Sequence, residues 1–163
     1  MADHPQTPNP QRPILPARRQ PHEYRVLAQH VSNSQSKGIA SHNVLKSKLK
    51  QGLAAFGVTV GIGSPEVSYA LGNLGLDWVK FDMQHSILDT QTVSAMIQAM
   101  SYSPTVPIVR VPSNNLGIIN KALDIGAHAV VVPLVNSQED AEKAVRSSRY
   151  APRGARSWGQ RCD

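Results

Sequence analysis

A chain of 163 residues with 40% hydrophobic content can bury the core of one ordinary domain. It contains no apolar run near the ~18 residues of a membrane-spanning helix and no signal-peptide core at its start, so neither membrane insertion nor secretion is expected. Its single cysteine, Cys162, excludes a disulfide framework within the chain, which fits a reducing compartment and a cytoplasmic location.

The formal net charge of +6 is shared between two parts. Residues 1–42 hold five Lys/Arg against two Asp/Glu and the remainder twelve against nine, so each part contributes +3. The basic residues of the larger part, including Lys46, Lys48, Lys50 and the Arg146–Arg161 region, lack the interleaved aromatics on which bases stack. A solvated surface is therefore expected, with small anions as the next choice and nucleic acid not expected.

Residues 1–42 include Pro5, Pro8, Pro10, Pro13, Pro16 and Pro21 among polar residues, without apolar periodicity. Such a segment cannot bury enough surface to offset chain entropy, and a disordered tail is expected. Arg12, Arg18, Arg19 and Arg25 raise the question of an organellar presequence; the prolines, Asp3 and Glu23 argue against an amphipathic targeting helix.

From residue 43 to 163 the pattern is regular. Val44, Leu45 and Leu49 predict a short amphipathic helix, and Leu53–Val60 reads as a buried strand. Ser64-Pro65 is a cap followed by a first-turn proline, with Val67, Ala70, Leu71 and Leu74 at helical spacing and Gly75 as the stop. A second strand occupies 77–85. Asp89 then caps a helix bearing Val93, Met96, Ile97 and Met100. Val106–Val111 is a third strand, followed by a helix from about Asn115 with Leu116, Ile119 and Leu123 that stops at Gly126. Ala129–Val135 is a fourth, after which Ser137 and Asp140 open a helix with Ala141, Ala144 and Val145 on its inner face.

Strand starts near 53, 78, 106 and 129, and runs without polar alternation such as Ala129–Val132, predict parallel strands covered by helices. Four such units are about half of a (β/α)8 barrel, whose whole takes about 250 residues; a small open doubly wound sheet is the other solution. The Arg- and Gly-rich segment 149–159 follows the fourth helix, and the fourth strand's open side has nothing after it to cover it. A truncated barrel, or a chain completed by a partner, is the expectation.

Ligands of parallel α/β proteins bind at the C-terminal ends of the strands. Asp82, Gln84 and His85 follow strand two and Arg110 ends strand three, whereas His128 precedes strand four on the opposite, structural side. Asp82 and His85 are a candidate pair in which the carboxylate orients the imidazole for proton transfer. The alternative is a strand-end histidine with Asp82 opening a turn. Arg110 offers a planar guanidinium to a carboxylate or enolate oxygen, or an ion pair inside the barrel mouth. Lys80 alternates with Asp82 and is a candidate Schiff-base lysine or a snorkelling surface lysine. Gly61-Ile62-Gly63-Ser64-Pro65-Glu66 fails the GxGxxG pattern at Glu66, so a dinucleotide is not expected.

Gly75-Leu76-Asp77-Trp78-Val79, Asp82-Met83-Gln84-His85, Pro107-Ile108-Val109-Arg110, Val132-Pro133-Leu134-Val135 and Arg149-Tyr150-Ala151-Pro152-Arg153-Gly154 together resemble the first half of the HpcH/HpaI aldolase/citrate lyase family. The resemblance covers about residues 45–159. It implies an α/β TIM barrel of which about four βα units are present, and a carbon–carbon lyase. Such an enzyme cleaves a 4-hydroxy-2-oxo acid to pyruvate, or a related 2-oxo acid, and an aldehyde. The implied cofactor is a divalent cation (Mg, Mn or Co), and a homo-oligomer is implied for the full-length protein. By resemblance Arg110 contacts the 2-oxo oxygen, Gln84 lies in the substrate site, and His85, supported by Asp82, handles the proton of the aldol hydroxyl. Gln84 stands where the family usually has Glu, which removes a carboxylate. The family's metal-binding Glu and Asp lie on later strands, so no metal ligand is expected in this chain before Asp163. The competing expectation is an inactive fragment that acts only through association with a homologous subunit.

Overall fold

The computed structural model describes residues 43–159, and the tail expected over 1–42 lies outside the described residues. Helix α1 (Val44–Lys50) leads into four βα units: β1 (Gly57–Val60) and α2 (Pro65–Gly72), β2 (Trp78–Asp82) and α3 (Thr90–Ala99), β3 (Val106–Arg110) and α4 (Leu116–Asp124), β4 (Ala129–Val131) and α5 (Gln138–Ser148). All strand pairs are parallel and the order across the sheet is β1-β2-β3-β4. A doubly wound sheet reverses its strand order and carries helices on both faces. Here the order never reverses. Val79 and Phe81 on β2, Val109 on β3 and Val111 just after it are fully buried in one cluster with Val93, Met96 and Ile97 of α3 and Ile119 and Ala122 of α4. Lys80, Ile108 and Arg110, which alternate with them, are only half-buried. Helices thus cover one face, as around consecutive strands of a (β/α)8 barrel.

Side-chain caps set the helix starts as the sequence indicates. Ser64, Asp89 and Ser137 accept main-chain N–H groups of Val67, Thr92 and Asp140 at 3.2, 2.7 and 3.1 Å, and Asn115 accepts from Gly117 and Ile118. Ser68, wholly buried, donates its hydroxyl to the Met96 carbonyl at 2.7 Å, so the α2–α3 seam is satisfied where it is tightest.

Several element boundaries differ from expectation. Strand β1 starts at Gly57 rather than Leu53, and Leu53 and Phe56 are exposed. Just before the ladder begins, the Asp77 carboxylate accepts the Phe56 N–H at 2.7 Å and pairs with Lys48 Nζ at 2.7 Å. Helix α2 ends at Gly72, three residues before Gly75, and leaves Leu74 69% exposed. Strand β4 stops at Val131 rather than Val135, and Leu134 in the segment that follows has φ +56°, outside the β region. On α5, Ala141 and Val145 are exposed, Ala144 is half-buried and Ser147 is the buried residue.

Phe81→Ala removes a wholly buried ring from the centre of the cluster and is expected to destabilise by about 3–5 kcal/mol, whereas Ile87→Ala, at a 94% exposed site, should change stability by less than about 0.5 kcal/mol. Urea midpoints of the two variants test the assignment of the core.

Candidate active site

Asp82 is the last residue of β2, and its register partner is Arg110, the last of β3. The two side chains leave the same face at the C-terminal ends of adjacent strands. Arg110 Nε donates to Asp82 Oδ1 at 2.8 Å and Nη2 donates to Oδ2, the planar fork that guanidinium and carboxylate form best. Oδ1 also accepts the main-chain N–H of Gln84 at 3.0 Å and of His85 at 3.2 Å. These donors hold the Asp82 carboxyl well below the usual carboxylate range: the Arg110 hydrogen bond contributes most, burial opposes it, and the two main-chain N–H groups add to it. Reciprocally, Asp82 raises the already high pKa of Arg110.

The loop after β2 is pinned along its length. Met83 N–H donates to the Arg110 carbonyl at 3.0 Å, one step beyond the paired strands. Ser86 Oγ donates to the Asp82 carbonyl and accepts the Leu88 N–H at 3.2 Å. The β1–α2 loop lies directly on this segment: a Cβ at Gly61 would stand 3.1 Å from Ser86 Cβ, and one at Gly63 3.1 Å from Thr92 Cγ2. The two glycines thus serve close approach of one βα loop to the next.

The expected Asp82–His85 side-chain contact is not formed among the described residues. Asp82 opens a turn and holds the main chain of His85, not its ring. Arg110 stands directly opposite in register and its fork occupies both carboxylate oxygens. Among the described residues the exposed His85 ring makes no hydrogen bond. Gln84 is half-buried beside it, and its side chain likewise makes none. The two modest alternatives for Asp82 and Arg110, a turn-opening carboxylate and an ion pair at the mouth, are satisfied by each other. His128 lies at the opposite end, where its N–H donates to the Pro107 carbonyl at 2.9 Å and its carbonyl accepts from Asn43 Nδ2 at 3.1 Å. Ser86 escaped sequence reasoning. Its signal was a serine shortly after a strand-end Asp, a residue able to close a local side-chain turn.

The described residues do not form a metal cage. Both Asp82 oxygens are engaged, Gln84 is a neutral amide, and no three His, Cys, Asp or Glu side chains converge among the described residues. No described helix is long and apolar enough to cross a membrane.

Consecutive parallel strands with helices on one face define a barrel-type α/β protein, with a carboxylate, an arginine and a histidine at the C-terminal ends of its second and third strands. Residues 57–161 match the family described as HpcH/HpaI aldolase/citrate lyase, and the chain belongs to that family. Hydroxypyruvate/pyruvate aldolase of Roseobacter denitrificans is 37% identical over 117 residues, which are 72% of this chain and 46% of that protein. The 5-keto-4-deoxy-D-glucarate aldolase of Salmonella paratyphi A is 38% identical over 117 residues, 69% of this chain and 46% of that protein. A crystal structure of a HpcH/HpaI aldolase/citrate lyase family protein from Burkholderia cenocepacia superposes with a TM-score of 0.68 at 32% identity, over 72% of this chain and 48% of that one. The chain thus spans about half the length of the curated relatives it matches.

Asp82→Asn leaves Arg110 half-buried opposite a neutral amide and is expected to destabilise the fold by about 2–4 kcal/mol near neutral pH. The folded-state pKa of Asp82 is depressed, so its contribution is fully present above the ordinary carboxylate value of 3.8 and is lost as pH falls through the lower folded value. The gap between wild type and variant in urea unfolding should accordingly be largest at neutral pH and shrink toward strongly acidic conditions.

Proposed function

We propose that the protein carrying this chain is an aldolase that cleaves a 4-hydroxy-2-oxo acid to pyruvate, or a related 2-oxo acid, and an aldehyde. The observation that supports it most is the Asp82–Arg110 fork at the strand ends, with His85 on the loop that the same carboxylate fixes. Arg110 spends Nε and one proton of Nη2 on Asp82, and its remaining N–H groups are available to a substrate oxygen at the strand ends. In the cleavage direction His85 takes the proton of the 4-hydroxyl. The C3–C4 bond breaks, the aldehyde leaves, and the electron pair passes to the 2-oxo oxygen as an enolate that Arg110 stabilises. Protonation at C3 then gives the 2-oxo acid. Asp82 is a positioning residue in this scheme, because it orients Arg110 and the main chain at His85 and touches no reacting atom.

The divalent cation (Mg, Mn or Co) enters through the family resemblance alone, since the described residues do not form a cage for it. No step of the scheme is routed through it. The aldolase names of the relatives favour this function over that of a chain acting only by association with a homologous subunit.

Pyruvate release from a 4-hydroxy-2-oxo acid, followed by a coupled lactate dehydrogenase assay, tests the assignment. Arg110→Ala and His85→Ala are each expected to lower kcat by about 10²–10³-fold, the scale of losing an oxyanion donor or a general base. Full turnover in both variants would remove the roles of Arg110 and His85 in the reaction.

A further inference from the structure

His85 stands on a loop held at three points, and the middle one is a side chain that the aldolase scheme leaves unused. On the strand side, Asp82 Oδ1 accepts the His85 N–H at 3.2 Å. On the helix side, Leu88 is buried in the core cluster with Val60, Val93 and Met96. Between them Ser86 Oγ donates to the Asp82 carbonyl and accepts the Leu88 N–H at 3.2 Å. One hydroxyl thus ties the end of β2 to the core anchor beyond the loop, and it closes the turn around His85 from the C-terminal side.

Ser86 is held from outside its own loop as well. A Cβ at Gly61 would stand 3.1 Å from Ser86 Cβ and one at Gly63 3.3 Å from Leu88 Cδ2, so the β1–α2 loop lies against both residues of the tie. His85 has no such hold on its ring, which is exposed and makes no hydrogen bond among the described residues. Among those residues the imidazole takes its direction from its own main chain, which Asp82 fixes on one side and Ser86 on the other. The Ser86 hydroxyl spends its only proton on the Asp82 carbonyl, which suits a tie and not a nucleophile.

We propose, resting on the aldolase function proposed above, that Ser86 is a positioning residue for His85. Its hydroxyl holds the main chain at His85 so that the imidazole meets the 4-hydroxyl of the substrate. Ser86 itself touches no reacting atom.

Amide hydrogen exchange of the full 163-residue chain, followed by NMR, reads the loop without substrate. In Ser86→Ala the His85 N–H keeps its acceptor, Asp82 Oδ1, so a change in its protection has passed through the main chain. It is expected to exchange about fivefold faster, the scale of one lost neutral hydrogen bond, while the N–H of the wholly buried Phe81 on β2 keeps its wild-type rate. In the pyruvate-release assay the same variant should lose about tenfold in kcat with KM within about twofold, and Ser86→Thr, which keeps the hydroxyl, should stay within about threefold of wild type. Ser101→Ala, at an exposed site after α3, should leave exchange and turnover unchanged. Unchanged exchange at His85 overturns the proposal, and so does equal acceleration at Phe81, which marks a general loss of stability. An unchanged kcat, a KM that rises as kcat falls, or a Ser86→Thr variant as slow as Ser86→Ala each overturns it as well. Local release of His85 in a chain that forms no pyruvate would remove the aldolase function while the hold of Ser86 on His85 stands; turnover indifferent to Ser86→Ala would remove the positioning role alone.

Discussion

The Asp82–Arg110 pair is the constraint on which the functional end of this chain depends. One carboxylate joins two neighbouring strands at their last residues and sets the turn that follows the first of them. Neither partner is fully solvated, so the pair has a desolvation cost that only good geometry offsets. The parallel register supplies that geometry by placing the two residues opposite each other, and the planar fork uses it. Each side chain of the proposed aldolase scheme is either a member of this pair or on the loop it holds.

The opposite end of β2 repeats the device in a purely structural form. Asp77 accepts the Phe56 N–H and the Lys48 ammonium, tying α1 and the approach to β1 to the start of the strand. These donors lower the Asp77 carboxyl as well, with the Lys48 hydrogen bond first among the causes, but the site is more open to solvent, so the pair contributes less. The strand between them is fixed at both ends and packed along its length by Phe81 and Val79. That rigidity lets a short loop present Gln84 and His85 in a defined place, as precise chemistry requires.

Belonging to an aldolase family sharpens what these residues do without deciding it. Gln84 is a neutral amide on the loop after β2, and Lys80 stands two residues before Asp82 on the strand. Among the described residues no three His, Cys, Asp or Glu side chains converge.

Much of this was legible in the sequence because it rests on short-range chemistry. Caps at Ser64, Asp89, Asn115 and Ser137, the apolar spacing of Val93, Met96 and Ile97, and the four strand–helix repeats follow from local rules that act within a few residues. The motif string was enough to place the family. Three things were decided only by the tertiary structure. Strand limits depended on partners far along the chain, since β1 begins only where Gly57 meets Trp78 of β2. The choice between a barrel and a doubly wound sheet depended on strand order and on which face the helices cover, and periodicity is blind to both. The partner of Asp82 depended on register: in the sequence His85 is three residues away and Arg110 twenty-eight, but parallel pairing sets the distant arginine directly opposite, where its fork takes both oxygens and leaves the nearby imidazole free.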